Sequence, residues 1–148
     1  MTKRKTDNKA KKGAGAVHKP PPKGRSGRVK IVTVPKPWGH ETIWAQTDRY
    51  VGKILHIKAG QELSVQYHER KDETVYLLSG QIAYRVRSDA KQLEDVQLKL
   101  GESFRITPGT VHQMMAVTDC EVLEVSTPEL NDVVRLSDKY GRVGTSAP

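Results

Sequence analysis

From Val29 onward, apolar and polar residues alternate with a period close to two, as expected of strands with one buried face. The run Val29-Lys30-Ile31-Val32-Thr33-Val34 opens the series, followed by Ile54–Lys58 and Leu63–His68. Thr74–Leu78 and Gln81–Arg87 flank Ser79-Gly80, which reads as a tight hairpin turn. Val96–Leu100, Ser103–Ile106, Val111–Val117 and Glu121–Val125 complete the set. Turn residues punctuate it at Ala59-Gly60, Ser88-Asp89, Leu100-Gly101, Pro108-Gly109 and Thr118-Asp119. About eight to ten short strands with regular turns predict an all-β sandwich or barrel. One segment departs from this period. After Thr127-Pro128-Glu129, Thr127 can cap a helix, Pro128 can open it, and Leu130, Val133 and Val134 share a face, so one short C-terminal helix is expected.

Composition changes the picture mainly through its distribution. The 148 residues suit one domain, and no apolar run approaches the roughly 20 residues of a membrane span. The net charge of +8 suggests nucleic acid until it is divided along the chain. Residues 1–28 hold ten of the 25 basic residues and one of the 17 acidic ones, Asp7, so the remainder is near neutral. That stretch has little to bury and contains Pro20-Pro21-Pro22, so 1–28 is expected to be a disordered basic tail and 29–148 a single domain. The tail could touch nucleic acid or an anionic surface through counterion release. No aromatic residue interleaves its charges, which favours a solvated tail instead. Gly13–Val17 is too short for a secretory apolar core. The single cysteine, Cys120, allows no intrachain disulfide, sits in an apolar run as an inert thiol, and fits a reducing, cytoplasmic setting.

The chemistry lies in two stretches. In Gly60-Gln61-Glu62-Leu63-Ser64-Val65-Gln66-Tyr67-His68, the residues Gln66 and His68 are two apart and share a strand face. Glu73 follows after the polar run Glu69-Arg70-Lys71-Asp72, which reads as a solvated turn. In Gly101–His112, a second histidine follows Thr107-Pro108-Gly109. Singly, His112 is as readily a structural histidine, Gln66 a satisfied sheet residue and Glu73 a solvated acid. A small barrel that brings the two hairpins together would gather two imidazoles, a carboxylate and an amide oxygen, a set suited to a divalent first-row metal. Trp38, Trp44, Tyr67 and Tyr76 read as packing, and His40 matches no motif.

These stretches resemble the two motifs of the cupin superfamily, G-x5-H-x-H-x(3,4)-E-x6-G and G-x5-P-x-G-x2-H-x3-N. Gly60, Gln66, His68, Glu73 and Gly80 reproduce the first spacing, with Gln66 in place of its first histidine. Gly101, Thr107, Gly109 and His112 reproduce the second, with Thr107 for proline and Ala116 for asparagine. Together with Pro37-Trp38-Gly39, Leu63-Ser64 and Asp132–Arg142, they are similar to the C-terminal domain of type II mannose-6-phosphate isomerases over about Val34 to Arg142. The resemblance implies a double-stranded β-helix, or jelly roll. It implies metal ligands Gln66, His68, Glu73 and His112, with zinc first and iron or manganese as alternatives. Lys53 and Arg135 match a lysine and an arginine of that family and are carried over as contacts to a substrate phosphate.

The implied activity is aldose–ketose isomerisation of a phosphorylated sugar, with Lys53 and His56 as candidate bases by their place near the first motif. Two other readings compete with it. One is a non-catalytic metal-bearing module that binds or senses a sugar. The other is a non-haem iron oxygenase built on His68, Glu73 and His112, against which the extra Gln66 ligand argues. No Gly-rich nucleotide loop is present, so guanylyltransferase activity is not expected of this chain. A near-neutral barrel with sheet edges to cover suggests a homodimer.

Overall fold

The computed structural model describes residues 26–87 and 92–145. Twelve strands follow one another: β1 (Val32–Lys36), β2 (Gly39–Gln46), β3 (Val51–Ile57), β4 (Val65–Tyr67), β5 (Glu73–Ser79), β6 (Ile82–Arg87), β7 (Glu94–Val96), β8 (Ser103–Ile106), β9 (Val111–Ala116), β10 (Cys120–Ser126), β11 (Val134–Ser137) and β12 (Gly144–Thr145). They form two six-stranded sheets, β1-β2-β3-β10-β5-β8 and β12-β11-β4-β9-β6-β7. All pairings are antiparallel, and along residues 51–126 they nest as β3 with β10, β4 with β9, β5 with β8 and β6 with β7. Residues 51–126 are thus one long hairpin wound into a jelly roll, with β6 and β7 at its tip and the successive strands of each arm dealt to opposite sheets.

This winding corrects the reading of Ser79-Gly80. The flanking strands β5 and β6 lie in different sheets, so the turn is a corner rather than a hairpin. Gly80 has φ +80°, and a Cβ there would lie 2.3 Å from the Asp119 carbonyl oxygen, so the corner needs glycine. Neither motif stretch is a hairpin of paired strands, because β4 and β5 face each other across the barrel, as do β8 and β9.

The core lies between the sheets and includes Leu55, Ile57, Val75, Leu77, Tyr84, Ile106, Met114 and Val122. Inward positions are apolar along most of each strand, but towards one end they become Lys53, Glu73 and Glu124. The site is built there.

The expected C-terminal helix is absent among the described residues, which contain no helix. The Asp132 carboxylate accepts hydrogen bonds from the backbone N–H groups of Glu69, Arg70 and Lys71. This tether draws residues 128–133 along the barrel, and the chain then runs extended as β11 beside β4. The expected strands do not include β2, and β7 overlaps the expected Val96–Leu100 strand only at Val96. Residues 1–25 of the expected tail, and the turn at Ser88-Asp89, fall outside the described residues. Among the described residues, no helix is long and apolar enough to cross a membrane.

Candidate metal centre

His68 follows β4, Glu73 opens β5 and His112 is the second residue of β9. Gln66 and His112 are direct cross-strand partners. All three of His68, Glu73 and His112 are buried. His68 Nδ1 bonds the Asp132 backbone carbonyl, and His112 Nδ1 bonds the Thr110 carbonyl at 3.0 Å. A carbonyl only accepts, so each ring carries its proton on Nδ1 and presents an Nε2 lone pair. Both Nε2 atoms lie 3.3 Å from the same oxygen, Glu73 Oε1. His112 Nε2 has no hydrogen-bond partner.

Three lone-pair atoms aimed at one another in a dry interior repel unless a cation lies among them. A separation of 3.3 Å between ligand atoms matches the edge of a tetrahedron with arms of about 2.0–2.1 Å, the usual zinc–nitrogen length. The two carbonyls fix the tautomers, as outer partners of metal-bound histidines do. The donor set therefore fits a divalent first-row metal.

The other Glu73 oxygen, Oε2, lies 2.5 Å from Lys71 Nζ. Lys71 also pairs with Glu124 Oε1 at 3.3 Å and is itself buried. This overturns the reading of Lys71 as part of a solvated turn. Burial alone would lower the Lys71 ammonium, but the Glu124 and Glu73 carboxylates outweigh it and hold it above its ordinary value. Burial alone would raise the Glu73 carboxyl, but the Lys71 ammonium beside it holds it well below the usual carboxylate range.

Next to the triad lies a cavity of about 260 Å³, reached by Gln66 and Lys71. Its wall carries Lys36, Lys53, Lys71, Arg135 and Arg142 against only Glu41 and Glu124. Lys53 pairs with Glu41 at 3.5 Å and with Glu124 at 3.8 Å. Arg135 Nε is buried and has no hydrogen-bond partner.

Residues 53–126 match the family model described as a cupin domain. The chain belongs to the cupin family. This cupin is 33% identical over 112 residues to the mannose-1-phosphate guanylyltransferase of Escherichia coli K12, covering 73% of the chain but 23% of that relative. It therefore spans about a quarter of the length of the curated relatives it matches. Among solved structures it resembles KdgF from Halomonas sp., with TM-score 0.56 and 22% identity over 68% of this chain and 86% of that one. It also resembles the capsular polysaccharide assembling protein CapF from Staphylococcus aureus, with TM-score 0.61 and 18% identity over 74% of this chain and 32% of that one. At these identities the structural likeness concerns the fold.

The cupin brings some of the expected site residues together and separates another. Gln66 lies on the cavity wall, where its Oε1 accepts the Ser64 hydroxyl at 2.6 Å. Lys53 and Arg135 share that wall. His56 does not. It alternates with the inward Leu55 and Ile57, stacks on His40 at 4.1 Å, and pairs with Glu121 at 3.0 Å on the outer face. It cannot serve the cavity as a base. Trp38 is buried at the cavity wall, while Trp44 is exposed and covers Gly52 on the outer face. Cys120 is buried, and burial pushes its thiol up to about 11, which leaves it inert. Sequence reasoning missed Lys71, Glu124 and Asp132. Only Glu124 left a usable signal, as an acid on the inward side of a strand between Val122 and Ser126.

Proposed function

We propose that this cupin holds a divalent first-row metal, zinc first, on His68, Glu73 and His112 with Gln66 as a further oxygen ligand. In the adjoining cavity it would interconvert the aldose and ketose forms of a phosphorylated sugar. The observation that carries this reading is the cavity wall, where Arg135, with an unpartnered buried Nε, stands with the ion-paired Lys36, Lys53, Lys71 and Arg142 beside a buried His-Glu-His set. Such a wall attracts a small anion. The volume lies just below the roughly 300–1,000 Å³ of drug-sized pockets and suits a small polar metabolite. The sugar phosphate in the name of the guanylyltransferase relative is of the same class.

Each polar residue then has a task. Arg135, with its unpartnered Nε, and Arg142 bind the phosphate. Arg142 is held for this by Asp138, which accepts from its Nε at 3.0 Å and its Nη2 at 2.8 Å. Lys53, fixed between Glu41 and Glu124, is the proposed group for proton transfer between adjacent carbons. Leu55, Leu63 and Trp38 exclude water from the inner wall. The metal, when bound, would supply Lewis-acid polarisation of the sugar oxygens.

The test is elemental analysis of the purified protein followed by a screen of hexose and pentose phosphates. About one zinc per chain and chelator-sensitive interconversion of an aldose phosphate with its ketose support the proposal. Iron with oxygen uptake would replace it with an oxygenase, and tight binding without turnover with a sugar-sensing module.

A further inference from the structure

We propose that Lys71 sets the metal preference of the site by restricting Glu73 to ligation through one oxygen. The proposal rests on the metal-centre reading above. Glu73 Oε1 faces both imidazoles at 3.3 Å, while Oε2 is engaged by the Lys71 ammonium at 2.5 Å. Lys71 is anchored from three directions, two of them at its ammonium. Glu73 holds it on one side and Glu124, at 3.3 Å, on another, while the Lys71 backbone N–H donates to Asp132 Oδ2 at 2.7 Å.

Lys71 is only 4% exposed, so its ammonium does not reach out to water in the way lysines usually do. Swinging it away would strand a buried charge together with two buried carboxylates. The second Glu73 oxygen is therefore closed to a metal. A single carboxylate oxygen with two imidazole nitrogens suits an ion that closes its shell with few ligands, such as zinc. Larger, oxygen-seeking ions gain from two-oxygen carboxylate ligation and from more oxygen ligands, which this arrangement withholds.

The experiment compares wild type with Lys71→Met and Lys71→Arg. Zinc affinity is measured by chelator competition, manganese affinity by the electron paramagnetic resonance of free Mn²⁺, and loading by the rise in Tm with each ion. Lys71→Met frees Oε2 and is expected to raise manganese affinity relative to zinc by about tenfold or more. Lys71→Arg keeps a cation on Oε2 and is expected to restore the wild-type ratio. Should Lys71→Met fail to fold, Lys71→Gln carries the same expectation. An unchanged ratio, or an equal gain for both ions, overturns the proposal, since Lys71 would then act as charge alone. A wild-type protein that binds neither ion overturns the metal centre itself, a distinct result.

Discussion

Replacing Asp132 by alanine tests the link between the C-terminal segment and the metal ligands. Its carboxylate accepts from Glu69 N at 3.0 Å, from Arg70 N at 2.7 Å and from Lys71 N at 2.7 Å, while its own carbonyl orients the His68 ring. Hydrogen bonds to a charged group contribute about 1.5–3 kcal/mol each when their loss leaves a donor unsatisfied. Glu69 and Arg70 are exposed, so their amides regain water, whereas Lys71 is buried and its amide stands to lose more. The expected loss is about 2–4 kcal/mol, or roughly 5–15 °C in Tm for a domain of this size. Loosening His68 should also weaken metal binding about 10- to 100-fold. Thermal melts by circular dichroism and a zinc competition titration read the two effects separately. The pH dependence gives a third readout. Burial would raise the Asp132 carboxyl, but the amides of Arg70, Glu69 and Lys71 hold it below its ordinary value. Its contribution is therefore fully present above the unfolded value of about 3.9 and is lost as pH falls through the lower folded value. In Asp132→Ala, the acid decline of stability across that window should be shallower. A variant with wild-type Tm and wild-type zinc affinity would refute the claim that this tether shapes the site.

His112→Ala removes the unpartnered Nε2 and should lower metal affinity by at least about 100-fold, seen as metal-free protein after desalting. Arg135→Ala should weaken sugar-phosphate binding about 10- to 100-fold while metal content stays unchanged, measured by calorimetry and elemental analysis. Deleting residues 1–28 should leave Tm within about 1 °C of the full chain, because β1 begins at Val32 and Val29 and Ile31 are exposed.

The parts of the fold legible in the sequence are those decided locally. The alternation in Thr74–Leu78 places Val75 and Leu77 inward whatever their partners, and they are inward. The spacings from Gly60 to Gly80 and from Gly101 to His112 preserve turn geometry, so the placement of their histidines could be anticipated. What failed depends on partners far along the chain. Lys71 looks solvated beside Glu69, Arg70 and Asp72, and its burial requires Glu124 from β10. The segment after Thr127 carries helix-start signals, but Asp132 is bound to amides 61–63 residues earlier. β2 was hidden because one of its inward residues is Glu41, a cavity carboxylate, so facing inward did not coincide with being apolar.

The wound hairpin also divides the machinery between the two arms of the chain. A cut between β6 and β7 would leave Gln66, His68, Lys71 and Glu73 on one fragment and His112 and Glu124 on the other. Neither piece could coordinate an ion through more than part of the set, and each would carry charged groups without their counterparts. Mixed together, the halves would have to re-thread alternate strands into both layers before the donors met. Ion uptake by such a split protein would therefore report complete reassembly, and the ion would serve as a clasp between fragments as well as a centre for chemistry.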